Sequence, residues 1–170
     1  RLYASAVELA GRATEIDPEY APAWGTLGIN QLRLGEIEAG RASLERAFAG
    51  DPFNVWFKNT LDLLDTFPGY DTVETENFAL FIERTRAPLL SLYMGPLAEE
   101  ALASLRERYG YRPSQRVRVE VYGRHADFSV RTVGLAGLGA LGVAFGSVVA
   151  VDAPATPGMG EYNWGATLWH

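Results

Sequence analysis

The dipeptide Asp-Pro stands at 17–18 and again at 51–52, 34 residues apart, and Ala13 and Ala47 keep the same spacing. A period of that length is one helix-turn-helix unit per repeat, and each unit buries its apolar stripe only against its neighbours. This spacing constrains the first 67 residues more than any compositional figure. Trp24, Leu27 and Gln31 fall on one helical face, and Gly28 beside them lets a partner helix approach closely. Pro52 can open a helix, where its missing N–H costs nothing. The pattern predicts helices near 4–16, 21–34, 37–49 and 53–65.

The run Trp24-x-x-Leu27-Gly28-x-x-Gln31, followed by Gly40-x-x-x-Leu44-x-x-Ala47, resembles the tetratricopeptide repeat. Gln31, Gly40 and Leu44 stand where that family usually has tyrosine, alanine and phenylalanine. The resemblance implies a module that holds a peptide or a partner helix on a concave surface. One full repeat with partial neighbours buries its faces poorly, so a longer array is expected. Trp56, Phe57, Leu61 and Leu64 lie at helical spacing and are expected to form a seam with the segment that follows.

Around Phe67-Pro68-Gly69-Tyr70-Asp71 the character changes, which divides the chain into a helical part, 1–67, and an α+β part, 68–170. Phe78 to Ile82 is a β-rich run bounded by polar residues. A helix in two parts follows, interrupted at Gly95-Pro96. Its second part carries Leu97, Ala101, Leu102, Leu105 and Tyr109 on one stripe, and Gly110 closes it. Arg116 to Tyr122 alternates strictly, with Val117, Val119 and Val121 inward. Val143 to Val151 reads as one further strand ended by Asp152-Ala-Pro154, and a last helix begins near Trp164.

Composition narrows the partners. The 170 residues are 48% apolar, enough to build a core, and the net charge is −6. An acidic chain lacks the basic face that phosphate binding needs, so no nucleic-acid partner is expected. No cysteine is present, which removes disulfides and thiolate metal ligands but leaves the compartment open. No run reaches the roughly 18 apolar residues of a transmembrane segment.

Two patterns invite chemistry. Gly137-Leu-Gly139-Ala-Leu-Gly142 is a literal G-x-G-x-x-G, but that fingerprint needs a helix starting inside it to meet a pyrophosphate. Val143-Ala-Phe-Gly-Ser-Val-Val favours a strand instead, so a glycine-rich loop is expected. His125 with Asp127 could be a metal or acid–base pair, or a capped turn entering a short helix. The chain holds two histidines, so a three-histidine site is excluded within it.

The second histidine closes Asn163-Trp-x-x-Thr-Leu-Trp-His170, an aromatic, helix-favouring run that leads to a candidate metal ligand. It follows Tyr109-Gly110-Tyr111-Arg112-Pro113, a strand, Arg124-His-Ala-Asp-Phe-Ser-Val-Arg-Thr-Val-Gly134, a glycine-rich loop and a second strand. This order resembles the bacterial tetratricopeptide proteins that carry a gluzincin-type zinc metallopeptidase domain. The resemblance implies an α+β, thermolysin-like domain of which 68–170 is the first part. It implies His170 as the first zinc ligand, with a catalytic glutamate, a second histidine and a third ligand downstream.

The resemblance also implies a mechanism for the intact parent. Zinc would lower the pKa of its bound water, and the glutamate would take the proton as that water attacks a peptide carbonyl. Gly146, Ser147, Val148 and Val149 would belong to an edge strand offering main-chain groups to a peptide or protein substrate. The chain is then expected to lack its own carboxy-terminal half and to contain no catalytic residue. No stably bound zinc is expected on it, since one imidazole binds zinc poorly. The competing reading is a non-catalytic repeat protein whose α+β part docks a partner.

Overall fold

A computed structural model describes residues 2–110, 112–154 and 162–169, and the chain divides into two compact units, Arg1–Asp65 and Thr66–His170. Among the described residues the architecture is mixed α+β, with seven α-helices and one five-stranded mixed sheet. No helix among them is long and apolar enough to cross a membrane.

The first unit is four helices, α1 (Leu2–Ile16), α2 (Ala21–Arg33), α3 (Ile37–Gly50) and α4 (Val55–Leu64). Two glycines set the α2–α3 crossing. A Cβ on Gly28 would lie 2.8 Å from the Gly40 carbonyl oxygen, and one on Gly40 would lie 2.7 Å from the Leu32 side chain. The two backbones therefore touch, and Leu44 and Ala47 beside them are fully buried. Ser43 Oγ donates to Gln31 Oε1 at 2.7 Å across the same hairpin, a polar contact at the position where Gln31 departs from the repeat pattern.

Pro52 does not open α4. It lies in the preceding turn, and Asn54 is the cap, its Oδ1 accepting from the N–H groups of Trp56 and Phe57 at 3.2 and 3.3 Å. A side-chain acceptor there satisfies two of the amides that the start of a helix leaves unpaired. Phe57 is spent within this unit, its ring filling the space where a Gly25 Cβ would sit, and Trp56 is exposed.

The second unit is built on strands β1 (Tyr70–Glu74), β2 (Phe78–Glu83), β3 (Val117–Tyr122), β4 (Gly142–Phe145) and β5 (Val148–Asp152), in the order β1-β2-β3-β5-β4. β2, β3 and β5 are parallel; β1 and β4 run antiparallel at the two edges. Helices α5 (Ala87–Tyr109), α6 (His125–Val133) and α7 (Trp164–Trp169) complete it. Alternation sends Leu80, Ile82, Val119, Val121 and Val151 to one face, where Met94, Ala98 and Leu102 of α5 close the core. α6 covers the other face, with Phe128 fully buried.

Three expectations are corrected. α5 is one helix through Gly95-Pro96. The carbonyl deprived of its donor belongs to Leu92, on the exposed side, while Met94, Ala98, Ala101 and Leu102 bury one continuous stripe across the proline. That burial offsets a cost of about 3 kcal/mol. Leu97 and Leu105 are only half-buried on this helix and Tyr109 is exposed, although Gly110 does end it in the left-handed region at φ 65°. Val143 to Val151 is not one strand but the hairpin β4–β5, turned at Gly146 (φ 68°) and Ser147. β1 was not foreseen at all: its residues are exposed or half-buried, so it carries no apolar alternation.

Candidate functional site

His170, the proposed metal ligand, lies outside the described residues. The helix that leads to it is described. Asn163 Oδ1 accepts from the Ala166 N–H at 3.0 Å and starts α7. Trp164 and Leu168 then pack on the sheet core beside α5. Thr167 turns toward the first residue of β4, its methyl 3.2 Å from where a Gly142 Cβ would sit. Gly142 is thus the close-approach point between α7 and the edge of the sheet.

The four proposed substrate-binding residues fall elsewhere than expected. Gly146 and Ser147 form the hairpin turn, where Gln115 Nε2 donates to Ser147 Oγ at 3.0 Å and the Arg118 N–H donates to the Ser147 carbonyl at 2.8 Å. Val148 and Val149 belong to β5, which is bonded to β3 on one side and β4 on the other. An interior strand has no main-chain groups left to offer. The edge is β4, bonded among the described residues to β5 alone.

The ladder identifies which groups face outward. The Asp152 N–H donates to the Leu141 carbonyl at 3.1 Å, and the register pairs Gly142 with Val151 and Ala144 with Val149. Antiparallel pairs alternate between bonded and non-bonded, so Val143 and Phe145 bond to β5. The N–H and C=O of Gly142 and Ala144 then turn away from the sheet. Neither residue has bulk to cover them.

The loop that enters β4 is clamped from α6. His125 does not pair with Asp127. Its Nδ1 lies 2.7 Å from Asp152 Oδ2, its Nε2 lies 2.7 Å from the Leu138 carbonyl, and Ser129 Oγ accepts from the Leu138 N–H at 3.0 Å. Both ring nitrogens are thus engaged by oxygens of other elements. Burial pushes the Asp152 carboxyl up, and the bond from His125 pulls it part of the way back. Serine, histidine and aspartate follow one another here as in a hydrolytic triad. Nε2, however, is taken by a carbonyl, and Ser129 is fully buried 3.4 Å away. The group is an anchor for the glycine-rich loop, not a nucleophile. The helix start expected at His125 is present, with Arg124 as the N-cap residue making no side-chain bond.

Gly137 to Gly142 meets no helix; Gly142 opens β4 directly, and Gly137 sits at φ 98°. A second polar cluster escaped the sequence reading. Glu120 is fully buried and accepts from Arg131 Nε at 2.6 Å, Arg118 Nε at 2.9 Å and the Tyr122 hydroxyl at 2.9 Å. Burial alone would raise its pKa, but Arg131 and Arg118 outweigh that and hold it below the usual glutamate range. In an alternating strand Glu120 reads as a solvent residue; Arg131, one helix later, gives no local sign that it covers it.

Among the described residues no group of three or more His, Asp or Glu side chains is placed to hold a metal ion. No family profile, curated protein or solved structure matches this chain.

Proposed function

We propose that residues 68–170 are the amino-terminal part of a zinc-dependent peptide hydrolase, with β4 as the strand along which an extended peptide binds. The observation that carries this reading is the outward main chain of Gly142 and Ala144, with Gly142 packed closely against Thr167 of α7. A peptide added to that edge would receive hydrogen bonds from both residues. It would run beside α7. Zinc would supply an activated water when bound. This chain's share is to align the substrate, to exclude water along one side of it, and to deliver one imidazole.

The test is the coding sequence beyond His170, then the expressed parent. Glutamate directly after His170 and a histidine one turn later, with zinc-dependent peptide cleavage, would support the reading. Ala144→Pro in that parent removes an outward N–H without touching the β4–β5 ladder, and should raise KM by about tenfold. A stop codon or unrelated residues after His170 would end the catalytic reading.

The helical unit supports a further part of the proposal. Its 34-residue spacing and glycine-lined α2–α3 crossing fit a tetratricopeptide-like module for a peptide or protein partner. The second reading, a non-catalytic scaffold, draws on the open groove beside Trp24 on that unit. There Trp24 Nε1 donates to the Pro18 carbonyl at 2.8 Å and Arg46 lies over the indole at 5.1 Å.

A further inference from the structure

β2 and β3 are neighbouring parallel strands whose chains leave in opposite directions. After Glu83 the chain passes Arg86 and enters α5, on the face of Leu80 and Val119. After Tyr122 it passes Gly123 and Arg124 and enters α6, on the face of Glu120. Where connections part in this way, the carboxyl ends of the strands leave a crevice, and open α/β sheets bind ligands there. Here the crevice measures about 300 Å³ and lies within the second unit, at the small end of ligand pockets.

Its lining is charged and only partly paired. Glu83 Oε2 and Arg86 Nε meet at 3.1 Å over the bare Cα of Gly123, where a Cβ would sit 2.9 Å from that carboxylate oxygen. Asp127 and Tyr70 are less well satisfied. Asp127 makes no hydrogen bond through its carboxylate among the described residues, and its one ion pair is Arg124 at 3.8 Å, a guanidinium 74% exposed. Burial raises the Asp127 carboxyl; Arg124 opposes this and Glu83 adds to it. The Tyr70 hydroxyl also has no hydrogen-bond partner among the described residues. Burial, reinforced by Asp127 and Glu83, pushes it up to about 12, so it remains an O–H donor.

The unmet needs are therefore of both signs. Asp127 requires a donor cation, while Tyr70 and Arg124 offer donors to an anion. A lone anion would face Asp127 and Glu83, and a lone cation would face Arg86 and Arg124. We propose that this crevice binds a free α-amino acid, its ammonium on Asp127 and its carboxylate on Arg124 and the Tyr70 hydroxyl. The site is independent of the β4 edge and of any metal chemistry.

Calorimetric titration of the whole chain with glycine, L-leucine, L-glutamate and L-arginine tests it, with acetate and methylammonium as single-charge controls. At least one amino acid should bind saturably, more than about tenfold tighter than either control. Asp127→Asn and Arg124→Gln, one isosteric and one at an exposed side chain, should each weaken that binding by about tenfold without lowering Tm. Gly123→Ala should block it by displacing the Glu83–Arg86 pair into the crevice. No binding of any amino acid, equal binding of acetate or methylammonium, or wild-type affinity in both charge variants would overturn the proposal.

Discussion

Glu120 in the middle of β3 and Arg131 in α6 form an ion pair at 2.6 Å with side-chain exposures of 0% and 2%. Arg131 Nη2 reaches the second carboxylate oxygen at 3.3 Å, so the contact is a two-point fork. Glu120→Ala would leave a buried guanidinium without its counter-charge, at a cost of about 3–5 kcal/mol. Chemical denaturation should show this as a lower midpoint with an unchanged slope. Replacing the pair together, Glu120→Leu with Arg131→Met, should cost markedly less than Glu120→Ala alone.

The same carboxylate sets a pH dependence. Glu120 is held below its unfolded value despite burial, and so is Glu99, which accepts from Thr75 Oγ1 and from the Asn77 amides. Groups depressed on folding contribute stability above the unfolded glutamate value, near 4.3, and lose it as pH falls through their folded values. Asp152 and Asp127 are raised and act with the opposite sign: their contribution is present below about 3.9 and is lost as pH rises. Tm measured downward from neutral pH should therefore fall below about pH 4.3, and Glu120→Gln should flatten that fall. An equal slope in the variant would contradict the assignment.

The His125 clamp predicts local opening. His125→Ala removes the ring that bridges Leu138 and Asp152, leaving a buried carboxyl group whose other oxygen, Oδ1, already has no partner among the described residues. The cost should be about 1–3 kcal/mol. Amide exchange should quicken in the segment around Leu138 more than in α5. Ser129→Ala, which removes only the acceptor for the Leu138 N–H, should cost about 1 kcal/mol.

Glycines in the helical unit should divide by their surroundings. Gly28→Val puts side-chain atoms onto the Gly40 carbonyl and Leu44 and should destabilise by about 1–3 kcal/mol. Gly11, inside α1, has open space around its Cα, so Gly11→Ala should stabilise by about 0.5–1 kcal/mol. Thermal melts of the two variants should move in opposite directions.

Local periodicity made much of this fold readable and long-range pairing made the rest opaque. The helices of the first unit, the Phe78 strand and the inward Val119 and Val121 follow from spacing alone. β1 was missed because an exposed edge has no apolar side to reveal. Pro96 misled because the sequence shows the breaker and not the buried stripe that spans it. The edge strand was sought across Val143 to Val151 with its binding groups at Gly146 to Val149, whereas that run folds back as a hairpin, its β-prone second arm fills the interior and the edge is its first arm, with Gly142 and Ala144 outward. His125 was weighed against Asp127, two positions away, when its partner stood 27 residues on at Asp152.

The outward groups of Gly142 and Ala144 speak a language common to every polypeptide. An amide and a carbonyl cannot tell one sequence from another, so an extended segment from any source could settle there, including β4 of a second copy. Concentrated solutions of the chain would thus tend toward strand-to-strand self-pairing. Any discrimination among guests must come from side chains that flank the strand, such as those of α7, and never from the strand itself.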